Sequence, residues 1–103
     1  MLKEIADIEA ATDSKSYAEF EEDWLLHRAV QRALVIVSEA SRRIPPEIKA
    51  QYPAIRWSNI AGIGNVLRHN YHEISNEVIW KVIQDELPIL KTALESIMAT
   101  LER

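Results

Sequence analysis

Cysteine is absent from the chain, which excludes disulfides, thiolate metal sites and cysteine nucleophiles together and is compatible with a reducing compartment. Glycine occurs twice and proline four times, too little turn chemistry for a multi-stranded sheet, which needs a turn signal every ~8–12 residues. No stretch approaches the ~18 apolar residues of a membrane span, and the start, Met1-Leu2-Lys3-Glu4-Ile5, has no basic segment followed by an apolar run. A cytoplasmic protein without a membrane partner is the expectation. No Gly-rich phosphate loop, nucleophile elbow or paired-carboxylate spacing is found either, so kinase, esterase and glycosidase chemistry have no support.

What is present is a globular balance: 103 residues, 48% of them hydrophobic and 27% charged. That is enough for one domain over residues 1–103 with one core, and too hydrophobic for intrinsic disorder. The formal net charge of −4 argues against indiscriminate binding of nucleic acid through the whole surface. Its distribution is uneven. Between Ser41 and His72, Arg42, Arg43, Lys49, Arg56 and Arg68 face the single acid Glu47, a local charge of +4 against −8 for the remainder. Whether these cations form one patch or a scattered, solvated set depends on the fold.

The periodicity is helical throughout. Leu2, Ile5 and Ile8 begin a short amphipathic helix, and the polar stretch Thr12–Ser16 breaks it. Ser16-Tyr17-Ala18-Glu19 reads as a capping box that starts a long second helix. There Leu26, Val30, Ala33, Val37, Ala40 and Ile44 recur at fours and threes, and Ala33–Val37 is apolar all round, which marks the centre of a bundle. Pro45-Pro46 ends this helix. Pro46 to Tyr52 has room for one helical turn, and Pro53 suits the first position of a third helix through Ile55, Trp57, Ile60, Ile63, Val66 and Leu67. Gly62 and Gly64 inside it each cost about 1 kcal/mol relative to Ala, so another backbone is expected to approach closely. Ser75-Asn76-Glu77 opens a fourth helix that Pro88 kinks or divides, followed by a stripe at Ile83, Leu87, Leu90, Leu94, Ile97 and Leu101. The stripe is either the core face of an antiparallel bundle or a seam with another chain, and the core is preferred.

Chemistry concentrates at Arg68-His69-Asn70-Tyr71-His72. His69 is suited to acid–base work near neutrality, and Arg68 carries a permanent charge that can hold a phosphate. Asn65 lies one helical turn before His69. A metal on His69 and His72 lacks a third ligand at suitable spacing, so none is assigned. Glu39, on an apolar helix, needs Arg68 or Asn65 as a partner where it points inward, and there it either orients the site or satisfies the core. His27 reads as a hydrogen-bonded core residue. Trp24, Trp57 and Trp80 read as core or interface anchors, with Trp57 also placed to stack a base.

The run Ile60-Ala61-Gly62-Ile63-Gly64-Asn65-Val66-Leu67-Arg68-His69-Asn70-Tyr71, then Val78-Ile79-Trp80 and Glu86-Leu87-Pro88, together with Ser38-Glu39-Ala40, resembles the HepT-like branch of the HEPN proteins over nearly the whole chain. The family's arginine, which normally precedes the Asn, falls on Gly64. Arg68 lies one turn on and about 40° away in helical direction, so it is the residue able to stand in. The resemblance implies an all-α, antiparallel four- to five-helix bundle of HEPN type. It implies a toxin that cleaves RNA without a metal or other cofactor, with Arg68 and His69 catalytic, Asn65 positioning and Glu39 and His72 supporting. It also implies a homodimer whose site forms where two motif helices meet, and a nucleotidyltransferase antitoxin that transfers AMP to Tyr71. The alternative is a catalytically inactive helical dimer that binds, and is AMPylated by, that nucleotidyltransferase, with Gly64 marking a lost site.

Overall fold

A computed structural model describes residues 1–69 and 75–101, without the side chain of His69. The described residues are helices joined by short loops: α1 (Leu2–Thr12), α2 (Tyr17–Glu22), α3 (Trp24–Ser41), α4 (Pro46–Lys49), α5 (Trp57–His69), α6 (Asn76–Lys81) and α7 (Leu87–Leu101), with a π-helical segment, Val82–Glu86, between the last two. The expected all-α bundle of HEPN type is what forms.

The predicted long second helix is two helices. Ser16 and Glu19 build the capping box as read, with the Ser16 hydroxyl accepting from the Glu19 N–H at 3.2 Å and the Glu19 carboxylate accepting from the Ser16 N–H at 3.0 Å. The helix then stops at Asp23, whose carboxylate accepts from the Leu26 N–H at 3.0 Å and starts α3 afresh. An Asp inside a helical pattern competes for backbone donors, and here the cap wins. The single turn α4 begins at Pro46 as expected. Pro53, in contrast, sits in a turn, and α5 begins only at Trp57.

Pro88 lacks the N–H that would bond to Gln84, and its ring crowds that carbonyl. The chain absorbs this in the π segment, where the Leu87 N–H bonds to the Val82 carbonyl five residues back, so the helix axis continues into α7. Ser75 caps α6 by accepting from the Val78 N–H at 3.2 Å.

Ile5 and Ile8 of α1, Phe20 of α2, Val30, Leu34 and Val37 of α3, Ile60 and Leu67 of α5, Ile79 of α6, and Leu87, Leu90 and Leu94 of α7 make one buried core. Ala33–Val37 is central as read, and the late stripe is core-facing up to Leu94 but exposed at Leu101. α3 packs along α5, and α1 lies against both α3 and α7, with Lys91 on Glu9 at 3.2 Å across the last pair. No helix among the described residues is long and apolar enough to cross a membrane.

Candidate functional site

The placement of α5 is set by a close approach to α3. Ser38, buried on α3, donates from its hydroxyl to the Ala61 carbonyl at 2.9 Å and accepts from the Gly64 N–H at 3.1 Å. A Cβ at Gly64 would lie 2.3 Å from the Ser38 Oγ and 2.6 Å from its Cβ, well inside contact distance, so only glycine lets the helices approach this far. The expected close approach therefore holds at Gly64. It does not hold at Gly62, where a Cβ would meet nothing within 4 Å among the described residues.

Ala61, Asn65 and Arg68 recur at four and three and so form one row along the seam between α3 and α5. At one end, Arg42, just past the end of α3, donates from Nη2 to the Ala61 carbonyl at 3.0 Å. At the other end Arg68 donates from Nη1 to the Glu39 Oε1, forming an ion pair between the two helices. The Arg68 side chain is 35% exposed and that of Glu39 51%, so solvent screens the pair and it contributes only about 0–1 kcal/mol. Its consequence is geometric: one guanidinium edge is fixed on the seam and the other N–H groups have no partner among the described residues. Glu39 thus takes one of its two expected partners, Arg68, and does so at the surface. It satisfies no core and shapes an exposed charge.

Asn65 is exposed between the two arginines. His69 is the last residue of α5, and in helical register it follows Asn65 by four and Gly62 by seven, between the row of Asn65 and Arg68 and the groove side. Tyr71 and His72 lie outside the described residues.

On the far side of α5 runs a groove of about 970 Å³ between α5 and the α6–α7 helix, with Gly62, Ile63 and Val66 on one wall and Val78, Val82 and Ile89 on the other. Val66, Val78 and Ile89 are 37%, 48% and 49% exposed. The rim is mixed, with Arg56 and Lys81 against Asp85 and Glu86. The sequence reading missed this surface. Its trace was Val78, Val82, Asp85 and Ile89, a second stripe at fours and threes obscured by one acid and by the stronger core stripe beside it.

The basic middle of the chain does not form one patch. Arg42 and Arg68 lie on the seam, Arg56 lines the groove, and the Lys49 ammonium sits 5.7 Å from the Trp57 ring centroid. Trp57 also donates its indole N–H to the Lys49 carbonyl at 3.2 Å, so it ties α4 to α5 and its ring is occupied by a cation instead of awaiting a base. Trp80 packs on Phe20 at 5.2 Å between centroids, an anchor as expected, whereas Trp24 is 63% exposed at the start of α3. His27 stacks edge-on against Phe20, and its Nδ1 has no hydrogen-bond partner among the described residues, contrary to the expected hydrogen-bonded role.

The family described as "Ribonuclease HepT-like" matches residues 1–97. The "Probable ribonuclease HepT" of Thermococcus cleftensis is 34% identical over 93% of this chain and 91% of its own length. The "Putative RNase MJ1380" of Methanocaldococcus jannaschii is 32% identical over 92% of this chain and 87% of its own, and "Putative RNase MJ0125" of the same organism is 31% identical over 99% and 88%. No solved structure matches the chain. With a family match over nearly its full length and relatives of this similarity, the chain belongs to the HepT-like ribonuclease family.

Proposed function

We propose that the chain is a cytoplasmic, metal-independent endoribonuclease, the toxin of a toxin–antitoxin pair whose antitoxin is a nucleotidyltransferase. The observation that carries this reading is the exposed row of Asn65 and Arg68, ending beside His69, in a chain of a ribonuclease family. Arg68 binds the scissile phosphate through the N–H groups that Glu39 leaves unused, and stabilises the charge that builds on phosphorus. Asn65 positions the sugar–phosphate backbone, and His69 moves protons. In the reaction the ribose 2′-oxygen gives up its proton and bonds to phosphorus, the bond from phosphorus to the 5′-oxygen breaks, and that oxygen receives a proton.

Gly64 is filled by Ser38 and has no room for a side chain, so the guanidinium must come from elsewhere on this side of α5, and Arg68 is the next position one turn along. Two copies meeting at the motif helices complete the site. Gly62 supports this, because a glycine that nothing among the described residues approaches leaves room for another chain. AMP added to Tyr71 by the antitoxin brings negative charge and bulk beside the phosphate site and so opposes RNA.

Purified wild type should cut RNA but not the same sequence with 2′-deoxyribose, and Arg68→Ala or His69→Ala should lower the rate by about 10²-fold or more. Cleavage by His69→Ala at the wild-type rate would sink the assignment. A second reading, an inactive dimer that binds the nucleotidyltransferase, draws on the loss of the arginine at Gly64. Wild type that leaves RNA intact, yet acquires adenylate on Tyr71 from that enzyme and ATP, would establish the second reading over the first.

A further inference from the structure

We propose that Arg42 is a second phosphate-binding subsite, so that single-stranded RNA lies along the α3–α5 seam with one backbone phosphate on Arg68 and a neighbouring one on Arg42. The inference rests on the ribonuclease reading and extends it to a residue on another helix, outside the motif run.

Three observations carry it. Arg42 is exposed, and its guanidinium is brought onto α5 by one N–H donated to the Ala61 carbonyl, while no carboxylate among the described residues pairs with it. Ala61 stands in the same row as Asn65 and Arg68, seven residues before Arg68, which is about 10 Å of helix rise. A short stretch of extended backbone spans that distance, and the exposed Asn65 amide between the two cations can donate to and accept from a ribose or base. The only acid among these side chains, Glu39, is already engaged by Arg68. The groove on the other side of α5 has no such bias, because its two rim cations are matched by two acids.

Seating the guanidinium also depends on Ser38 and Gly64. Their contact pulls the helices close enough for a side chain at the end of α3 to reach a carbonyl in the middle of α5. The same packing that closes position 64 therefore delivers a second cation to the row.

The test uses full-length protein carrying His69→Ala, so that binding is read without cleavage, and a single-stranded RNA oligonucleotide titrated by fluorescence anisotropy at several salt concentrations. Loss of one phosphate contact lowers the slope of log K against log salt by about 0.7 for single strands, and Arg42→Ala is expected to do so with about tenfold weaker binding at low salt. Arg42→Gln removes the charge and keeps a polar side chain at an exposed contact, so it should show the same slope loss with little change in thermal melting. Arg42→Lys should retain most of the slope. In the cleaving protein, Arg42→Ala should raise KM about tenfold for an oligonucleotide and leave a dinucleotide, which has one internucleotide phosphate, unaffected. A slope unchanged in Arg42→Gln would overturn the subsite and leave the ribonuclease reading standing. A His69→Ala protein that melts normally and binds no RNA would overturn both.

Discussion

The two faces of α5 differ in how completely the chain serves itself. Toward α3 the helix is sealed: Ser38 fills the space at Gly64 and bonds to two of its backbone groups, and the Arg68–Glu39 and Arg42–Ala61 contacts close the seam on either side. Toward α6 and α7 the same helix borders an open groove, and a Cβ at Gly62, two residues from Gly64, would meet nothing among the described residues. One glycine is explained by its own chain and the other is not. A helical glycine costs conformational entropy wherever it stands, so the second asks for an approach from outside.

The contrast is broken most directly at Gly64. Gly64→Ala should destabilise the fold by about 1–3 kcal/mol through overpacking against Ser38, and Gly64→Arg by more, which also means that restoring the family's arginine here should not restore its function. Urea midpoints of Gly64→Ala in the presence and absence of Ser38→Gly check this. Failure of the serine change to recover stability would show that the contact is not the cause.

In the groove, Ile89→Asp or Val66→Asp should leave urea stability of the isolated chain within about 0.5 kcal/mol, because both side chains are already exposed. Sedimentation should nonetheless show self-association lost. Dimers that persist in both variants would place the second copy elsewhere. Gly62→Ala sharpens the comparison through its sign: a gain of up to about 1 kcal/mol in the monomer from helix propensity, with weaker dimerisation, where Gly64→Ala gives a loss. Equal signs for the two would dissolve the difference between the faces.

The smallest effect is expected away from both faces, at the start of α2. The Glu19 carboxyl is held below the usual carboxylate range, chiefly by the hydrogen bond from the Ser16 N–H. A lowered carboxyl pKa contributes stability that is fully present above the ordinary Glu value and lost as pH falls through the lowered one. Thermal melting from pH 6 downward should therefore lose slightly less stability in Glu19→Gln than in wild type over that acid window. A steeper acid loss in the variant would reverse the assigned sign.

Much of this was legible beforehand, and unevenly so. The capping box at Ser16, the cap at Ser75, the α4 turn and the core stripes followed from local chemistry, because a Ser oxygen three residues from a free N–H or an apolar residue at every third and fourth position acts within one helix. The stop at Asp23 was missed, since the same residue suits a cap and an exposed helical position and only packing chooses. Pro53 misled for a similar reason, as its fixed φ serves a turn as well as a helix start. Glu39 pairs with Arg68, one of the two partners its charge suggested, but at the surface, where no desolvation cost demands the pair. The groove stayed hidden because its stripe overlaps the core stripe on one continuous helix.

By itself the sequence determined an all-helical chain, its family, and a cationic and imidazole-bearing end to α5, since periodicity, caps and residue chemistry are local properties. Which glycine is filled, that Glu39 takes Arg68 and not Asn65, and that Arg42 and Arg68 share one row were decided only when α3 and α5 packed. These contacts join residues 19 to 29 positions apart, and they form only because a missing Cβ lets two backbones come together.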